Sequence, residues 1–151
     1  MYKADALKQL NEDVTSLYTN IKHKAGIRAV NSFLEGESNF WIDYRTFLID
    51  LLQFFLTHNY FVFNDKYYLQ VQGTAMGVTY ANVFLGWWEQ FYVFSENTDQ
   101  WTCHINQWLR YSDDLLIIWE GLVESLQQFF DVLNDNNLNL YVYEMYIVPN
   151  K

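Results

Sequence analysis

Apolar positions along the chain follow two rhythms, one recurring every three to four residues and one alternating. The helical rhythm puts Ile27, Val30 and Leu34 on one face of a helix over 25–34, which Gly36 can end. A stronger helix is expected from Asp43, a suitable cap, to about His58, with Phe47, Leu48, Leu51, Leu52 and Phe55 as its apolar face. Residues 79–94 predict another, with Ala81, Phe84, Leu85, Trp88 and Phe91 or Tyr92 inward. Leu122, Leu126, Phe129, Phe130 and Leu133 predict a helix over 122–133. Residues 4–12 read as a wet helix, whereas 13–21, with Val14, Thr15, Tyr18 and Thr19, favour strand or loop.

The alternating rhythm predicts a hairpin of Tyr60–Phe63 and Tyr67–Val71 about a turn at Asn64-Asp65-Lys66. A second pair, Ile105–Tyr111 and Leu115–Trp119, joins at Ser112-Asp113-Asp114, and a last strand covers Leu138–Tyr143. Residues 72–77 and 95–102 read as loops. Helices alternating with hairpins predict an α+β fold, an antiparallel sheet with helices packed on one face. No Gly/Ser linker, charge block or repeat divides the chain, and its single Pro is Pro149, so one domain over 1–151 is expected.

Composition adds two constraints. An apolar fraction of 51% supports a core, and aromatic residues at 20% exceed what so small a domain hides, so some rings should line a groove or partner face. The net charge of −9 argues against gripping nucleic acid by bulk charge but suits a metal site. Cys103 stands alone, so no internal disulfide forms, and it reads as a small buried residue. His23, His58 and His104 have no zinc spacing. The charge-free run from Tyr67 to Trp88 is broken by Gln72-Gly73-Thr74-Ala75-Met76-Gly77, so no membrane span is expected. With no apolar leader near Met1, an intracellular place, nucleus or cytoplasm, follows as the expectation.

Three features could carry chemistry. Asp113 and Asp114 sit at a hairpin tip with apolar arms. Asp is a common turn residue, yet two mutually repelling carboxylates also suit a hard cation. Asp13 heads Asp13-Val14-Thr15-Ser16-Leu17-Tyr18 and is the candidate third acid. Gln72–Gly77 precedes a helix, and its glycines would let backbone approach a ligand. It lacks the Gly-Lys-Ser/Thr ending of a phosphate loop. Trp87-Trp88 should split, one ring inward and one outward.

In this order, Asp13-x4-Tyr18 with the residues to Ile21, Gln72-Gly73-Thr74-Ala75-Met76-Gly77 with Tyr80 to Glu89, and Tyr111-Ser112-Asp113-Asp114 flanked by Arg110 and Leu115 resemble the palm core of reverse transcriptases, most of all Penelope-like retroelement enzymes. The similarity runs from about Asp13 to Leu140. It implies an RNA-directed DNA polymerase palm that works by two-metal nucleotidyl transfer, with fingers and thumb missing. It implies Asp13 and Asp113 as metal ligands, Asp114 as the adjacent supporting acid, Tyr18 as the gate beneath the incoming sugar, and Gln72 and Gly73 as the loop touching the nucleotide. The implied cofactor is Mg²⁺, with Mn²⁺ as a substitute. The implied partners are an RNA or DNA template-primer and deoxynucleotide triphosphates, and exposed rings and sheet edges favour self-association. The sequence departs from the pattern before Asp13, between Gly77 and Tyr80, and at Lys22 and Ser112. Little or no activity is therefore expected of this chain alone; the alternative is an inactive relic that acts as a partner-binding fold.

Overall fold

The computed structural model describes residues 8–14, 17–37, 41–74, 78–138 and 140–143. The fold is α+β, with two small antiparallel sheets in place of the one expected. It divides into two compact units, Met1–Ser16 with Glu89–Lys151, and Leu17–Trp88.

The first unit is built on a four-stranded sheet of order β4-β5-β1-β6, with β1 Lys8–Val14, β4 Ile105–Tyr111, β5 Asp114–Trp119 and β6 Val142–Tyr143. The strand β1 overturns the helix expected over 4–12, whose first residues lie outside the described ones. Helix propensity is a weak local preference. Here β1 pairs with β5 on one side, from Lys8 opposite Trp119 to Asp13 opposite Asp114, and with β6 on the other. The β5 ladder takes up the backbone of Lys8–Asp13, β6 adds a second edge at Asp13 and Val14, and this pairing overrides the preference of the isolated segment.

Strand β4 has the bounds that alternation predicts. It gains one bulged residue, Asn106, as the register passes from Ile105–Trp119 to Gln107–Ile118. In β5 the sides differ: Leu115, Ile117 and Trp119 are buried, while Asp114 is exposed. Helix α6, Val123–Asn134, covers the buried side through Leu126, Phe129, Phe130 and Leu133. The Trp119 and Phe129 rings stack with centroids 5.8 Å apart. Leu122, expected on that face, precedes the helix and is exposed.

The strand expected over 138–143 is only Val142–Tyr143. Two asparagines take up the backbone groups before it. Asn134 donates to the Val142 carbonyl at 3.1 Å and accepts from the Val142 amide at 2.8 Å. Asn136 donates to the Leu133 and Leu140 carbonyls, both at 2.7 Å. The expected loop over 95–102 contains a 3₁₀ turn, Glu96–Thr98, and a short helix α5, Asp99–Thr102. Buried Thr98 anchors them: its hydroxyl lies 2.7 Å from both the Val93 and the Ser95 carbonyl, and its one proton is shared between them.

The second unit contains α1 Leu17–Asn20, α2 His23–Gly36, α3 Ile42–Thr57, the hairpin β2 Tyr60–Phe63 and β3 Lys66–Leu69, and α4 Val78–Trp88. Helix α2 packs on both α3 and α4. Ala81, Phe84, Leu85 and Trp88 of α4 are buried, as their spacing predicts. Trp87 is buried as well, so the tryptophan pair does not split; its ring stacks on Phe84. The helix expected to reach residue 94 ends at Trp88 and continues as a π-turn over Glu89–Val93, where the Phe94 amide bonds the Glu89 carbonyl at 2.8 Å.

Three further expectations for this unit are corrected. Leu17–Asn20 is helical where strand or loop is expected. Trp41, not Asp43, is the cap of α3, and Asp43 falls in the first turn, where its charge suits the helix dipole. Phe47, Leu51 and Phe55 of α3 are exposed, and Leu56 is the buried residue. In the β2–β3 hairpin every residue is exposed. Its turn has two residues, Asn64 and Asp65, with φ of 49° and 59°, the double left-handed conformation of a type I′ turn.

Candidate functional site

Asp114 opens β5, and Tyr111 closes β4 directly opposite it. Ser112 and Asp113 form the two-residue turn between them. Ser112 has φ 57° and Asp113 does not share the left-handed region, the pattern of a type II′ turn. Such a turn matches the twist of the flanking strands but favours Gly at its first position. A serine there is strained, and strain persists where neighbouring contacts hold it.

The holding contact comes from Arg110. Its Nη1 donates to the Ser112 carbonyl at 3.1 Å. Nε donates to Glu89 Oε1 at 2.8 Å and Nη2 to Glu89 Oε2 at 3.3 Å, a forked ion pair. Glu89 Oε1 also accepts from the Trp108 indole at 2.8 Å. The side chains of Arg110 and Glu89 are 16% and 17% exposed, so this pair is held largely away from water. Register places Arg110 opposite Leu115 and Trp108 opposite Ile117, on the side of the sheet that faces the core. Leu109, Tyr111 and Asp114 are exposed and line, with Arg110, Leu115 and Leu116, an open cleft of about 300 Å³.

Asp13 reaches this place by register, because its partner in the β1–β5 ladder is Asp114. Directly opposed antiparallel positions have Cα atoms about 4.5–5.5 Å apart. The backbone thus brings position 13 to the rung of Asp114, one residue from Asp113. Among the described residues no three His, Cys, Asp or Glu side chains gather as metal ligands; the Asp13 side chain lies outside them.

Tyr18, Gln72 and Gly73 belong to the second unit, which brings these three together. The Gly73 amide donates to the Ile21 carbonyl at 3.1 Å, and the Thr74 amide to the Tyr18 carbonyl at 2.7 Å. Gln72 Nε2 donates to the Thr19 carbonyl at 3.3 Å, and His23 Nε2 bonds the Gly73 carbonyl at 2.9 Å. Gly73 has φ 80°, and a Cβ there would stand 2.8 Å from Thr19 Cα. This glycine is required by both conformation and space. Ala75, Met76 and Gly77, the rest of the expected loop, lie outside the described residues.

Glu89 and Arg110 are functional candidates that lie in the segments carrying the resemblance but receive no role from it. A signal exists: Glu89 is the residue that ends the long charge-free run, and Arg110 immediately precedes Tyr111-Ser112-Asp113-Asp114. Cys103, expected to be buried, is exposed, with Sγ donating to the Gln100 carbonyl at 3.3 Å. No helix among the described residues is long and apolar enough to cross a membrane. No family model matches the chain, and no curated protein matches it significantly.

Proposed function

We propose that the chain is the palm portion of an RNA-directed DNA polymerase of the reverse-transcriptase kind, with Asp13, Asp113 and Asp114 as its acidic centre. The observation that carries the reading is the ladder rung shared by Asp13 and Asp114. Residues a hundred positions apart in the chain thereby meet beside a rigid turn that bears a further acid. The donor set suits a hard divalent cation, because carboxylate oxygens are the ligands Mg²⁺ and Mn²⁺ accept. Asp13 and Asp113 would hold the ions, and Asp114 would add negative charge beside them. When bound, such ions would supply activation of a primer 3′-hydroxyl and neutralisation of the leaving pyrophosphate.

The chain's own residues would do the rest. The β4–β5 turn keeps the carboxylates at a fixed place, and exposed Tyr111 offers a ring beside them. In the second unit, the Tyr18–Gly73 contact ties the proposed sugar gate to the loop that would touch the nucleotide. With 9 basic residues against 18 acidic ones, the chain has little with which to hold a template-primer, so primer extension by it alone is expected to be weak or absent. Titration with Mn²⁺, followed by paramagnetic broadening of amide signals, tests the reading. Signals of residues 13, 113 and 114 should broaden first, and broadening centred elsewhere would refute it.

A second reading, an inactive relic that serves as a binding fold, is favoured by the β2–β3 hairpin. Phe61, Phe63, Tyr67 and Tyr68 are all exposed there, a surface that suits self-association. Absence of any specific Mn²⁺ broadening, together with concentration-dependent association that Phe63→Lys abolishes, would select this reading.

A further inference from the structure

We infer that Glu89, acting through Arg110, is a positioning residue for Asp113; the inference rests on the metal-centre reading proposed above. Three observations converge on it. Ser112 holds a left-handed φ that its side chain disfavours, so the turn needs an external restraint. Arg110 supplies that restraint, because its guanidinium reaches back along the hairpin to the Ser112 carbonyl. The guanidinium in turn is fixed by both oxygens of Glu89, with Trp108 holding one of those oxygens from the side.

The geometry is directional. Glu89 lies at the start of the π-turn, where the backbone widens from an i+4 to an i+5 bond. Single π-turns within helices are frequent at functional sites. Arg110 lies on the core-facing side of β4, while Tyr111 and Asp114 are exposed. The strut therefore supports the turn from beneath and leaves the exposed side open to a ligand. An ion pair at this burial has no surface steering role, and a planar fork is the geometry that transmits position. Outer groups that orient metal ligands commonly change metal affinity by about 10–100-fold when removed.

The test uses the full chain with Mn²⁺ as the probe, its binding followed by electron paramagnetic resonance. Variants are Glu89→Ala, Glu89→Gln, Arg110→Ala and Asp113→Asn, and amide hydrogen exchange of residues 112–115 is recorded without metal. The expected result has four parts. The unaltered chain binds Mn²⁺ and Asp113→Asn does not. Glu89→Ala and Arg110→Ala bind about 10–100-fold more weakly. Glu89→Gln, which keeps an acceptor for Arg110, recovers part of the loss. Exchange in the turn quickens in both alanine variants while the amides of Leu126–Leu133 stay protected. Should an alanine variant fail to fold, the Gln variant and an Arg110→Lys variant, which loses the fork and keeps the charge, carry the same comparison. Binding as tight in Glu89→Ala as in the unaltered chain, with Asp113→Asn still inactive, overturns the strut and leaves the metal centre standing. No Mn²⁺ binding by the unaltered chain overturns both.

Discussion

Asp13 and Asp114 face each other across one rung of the antiparallel ladder between β1 and β5. Like charges at directly opposed positions weaken a ladder by about 0.2–1 kcal/mol. Without a divalent cation, Asp114→Asn should therefore raise stability by that amount, read as a shift of the urea midpoint at unchanged slope. A loss of stability would mean that this rung is not held under charge repulsion.

The Ser112 turn gives a second expectation. A left-handed residue costs about 1–2 kcal/mol in a side-chain-bearing residue, and Gly escapes that cost while losing some in chain entropy. Ser112→Gly should leave stability unchanged or raise it by up to about 1 kcal/mol. Ser112→Val should lower it, because a β-branched residue tolerates positive φ poorly. The reverse order of the two variants in thermal melts would contradict the turn assigned here.

At Gly73 both conformation and space oppose a side chain. The φ of 80° and the proximity of the Tyr18 carbonyl and Thr19 Cα leave no position for a Cβ. Gly73→Ala should cost at least about 1–3 kcal/mol, measured by denaturant unfolding. A variant as stable as the parent would show that the Gln72–Thr74 loop does not rest on Tyr18–Ile21.

Much of this was open to pattern reading, and what was not has physical causes. Strand β4 and the inner face of α4 follow from local periodicity, alternation in the one and helical spacing in the other. Strand β1 does not. Lys8-Gln9-Leu10-Asn11-Glu12 prefers helix in isolation, and it becomes a strand because β5, a hundred residues on in the chain, pairs along it. Position in the chain hides the Glu89–Arg110 pair in the same way, since the partners are 21 residues apart and joined only once β4 folds back. The apolar stripe of α3 misleads in the opposite direction. Its helical spacing is real, yet Phe47 and Phe55 are exposed, so periodicity reported the helix and not its burial.

Tyr80 supplies a pH dependence. Its hydroxyl is buried without a hydrogen-bond partner, and burial pushes it from 10.0 up to about 12. The folded chain then keeps a proton that the unfolded chain releases. The associated stability is whole below pH 10 and is lost as pH rises from 10 toward 12. Tyr80→Phe should soften this alkaline loss. At neutral pH it should melt at the same temperature or higher, since it removes an unsatisfied buried group. A markedly lower melting temperature for Tyr80→Phe would show that the hydroxyl has a partner.

Under the proposed function Asp13 and Asp113 hold a divalent cation with Asp114 beside them, and the melting temperature with and without Mg²⁺ decides it. A ligand at a hundredfold its dissociation constant that binds only the folded chain adds about 2.7 kcal/mol. For a chain of this size that corresponds to a rise on the order of 5–10 °C. Such a rise is expected for the unaltered chain and none for Asp113→Asn; no rise in either protein, or the same rise in both, would rule out this cation centre.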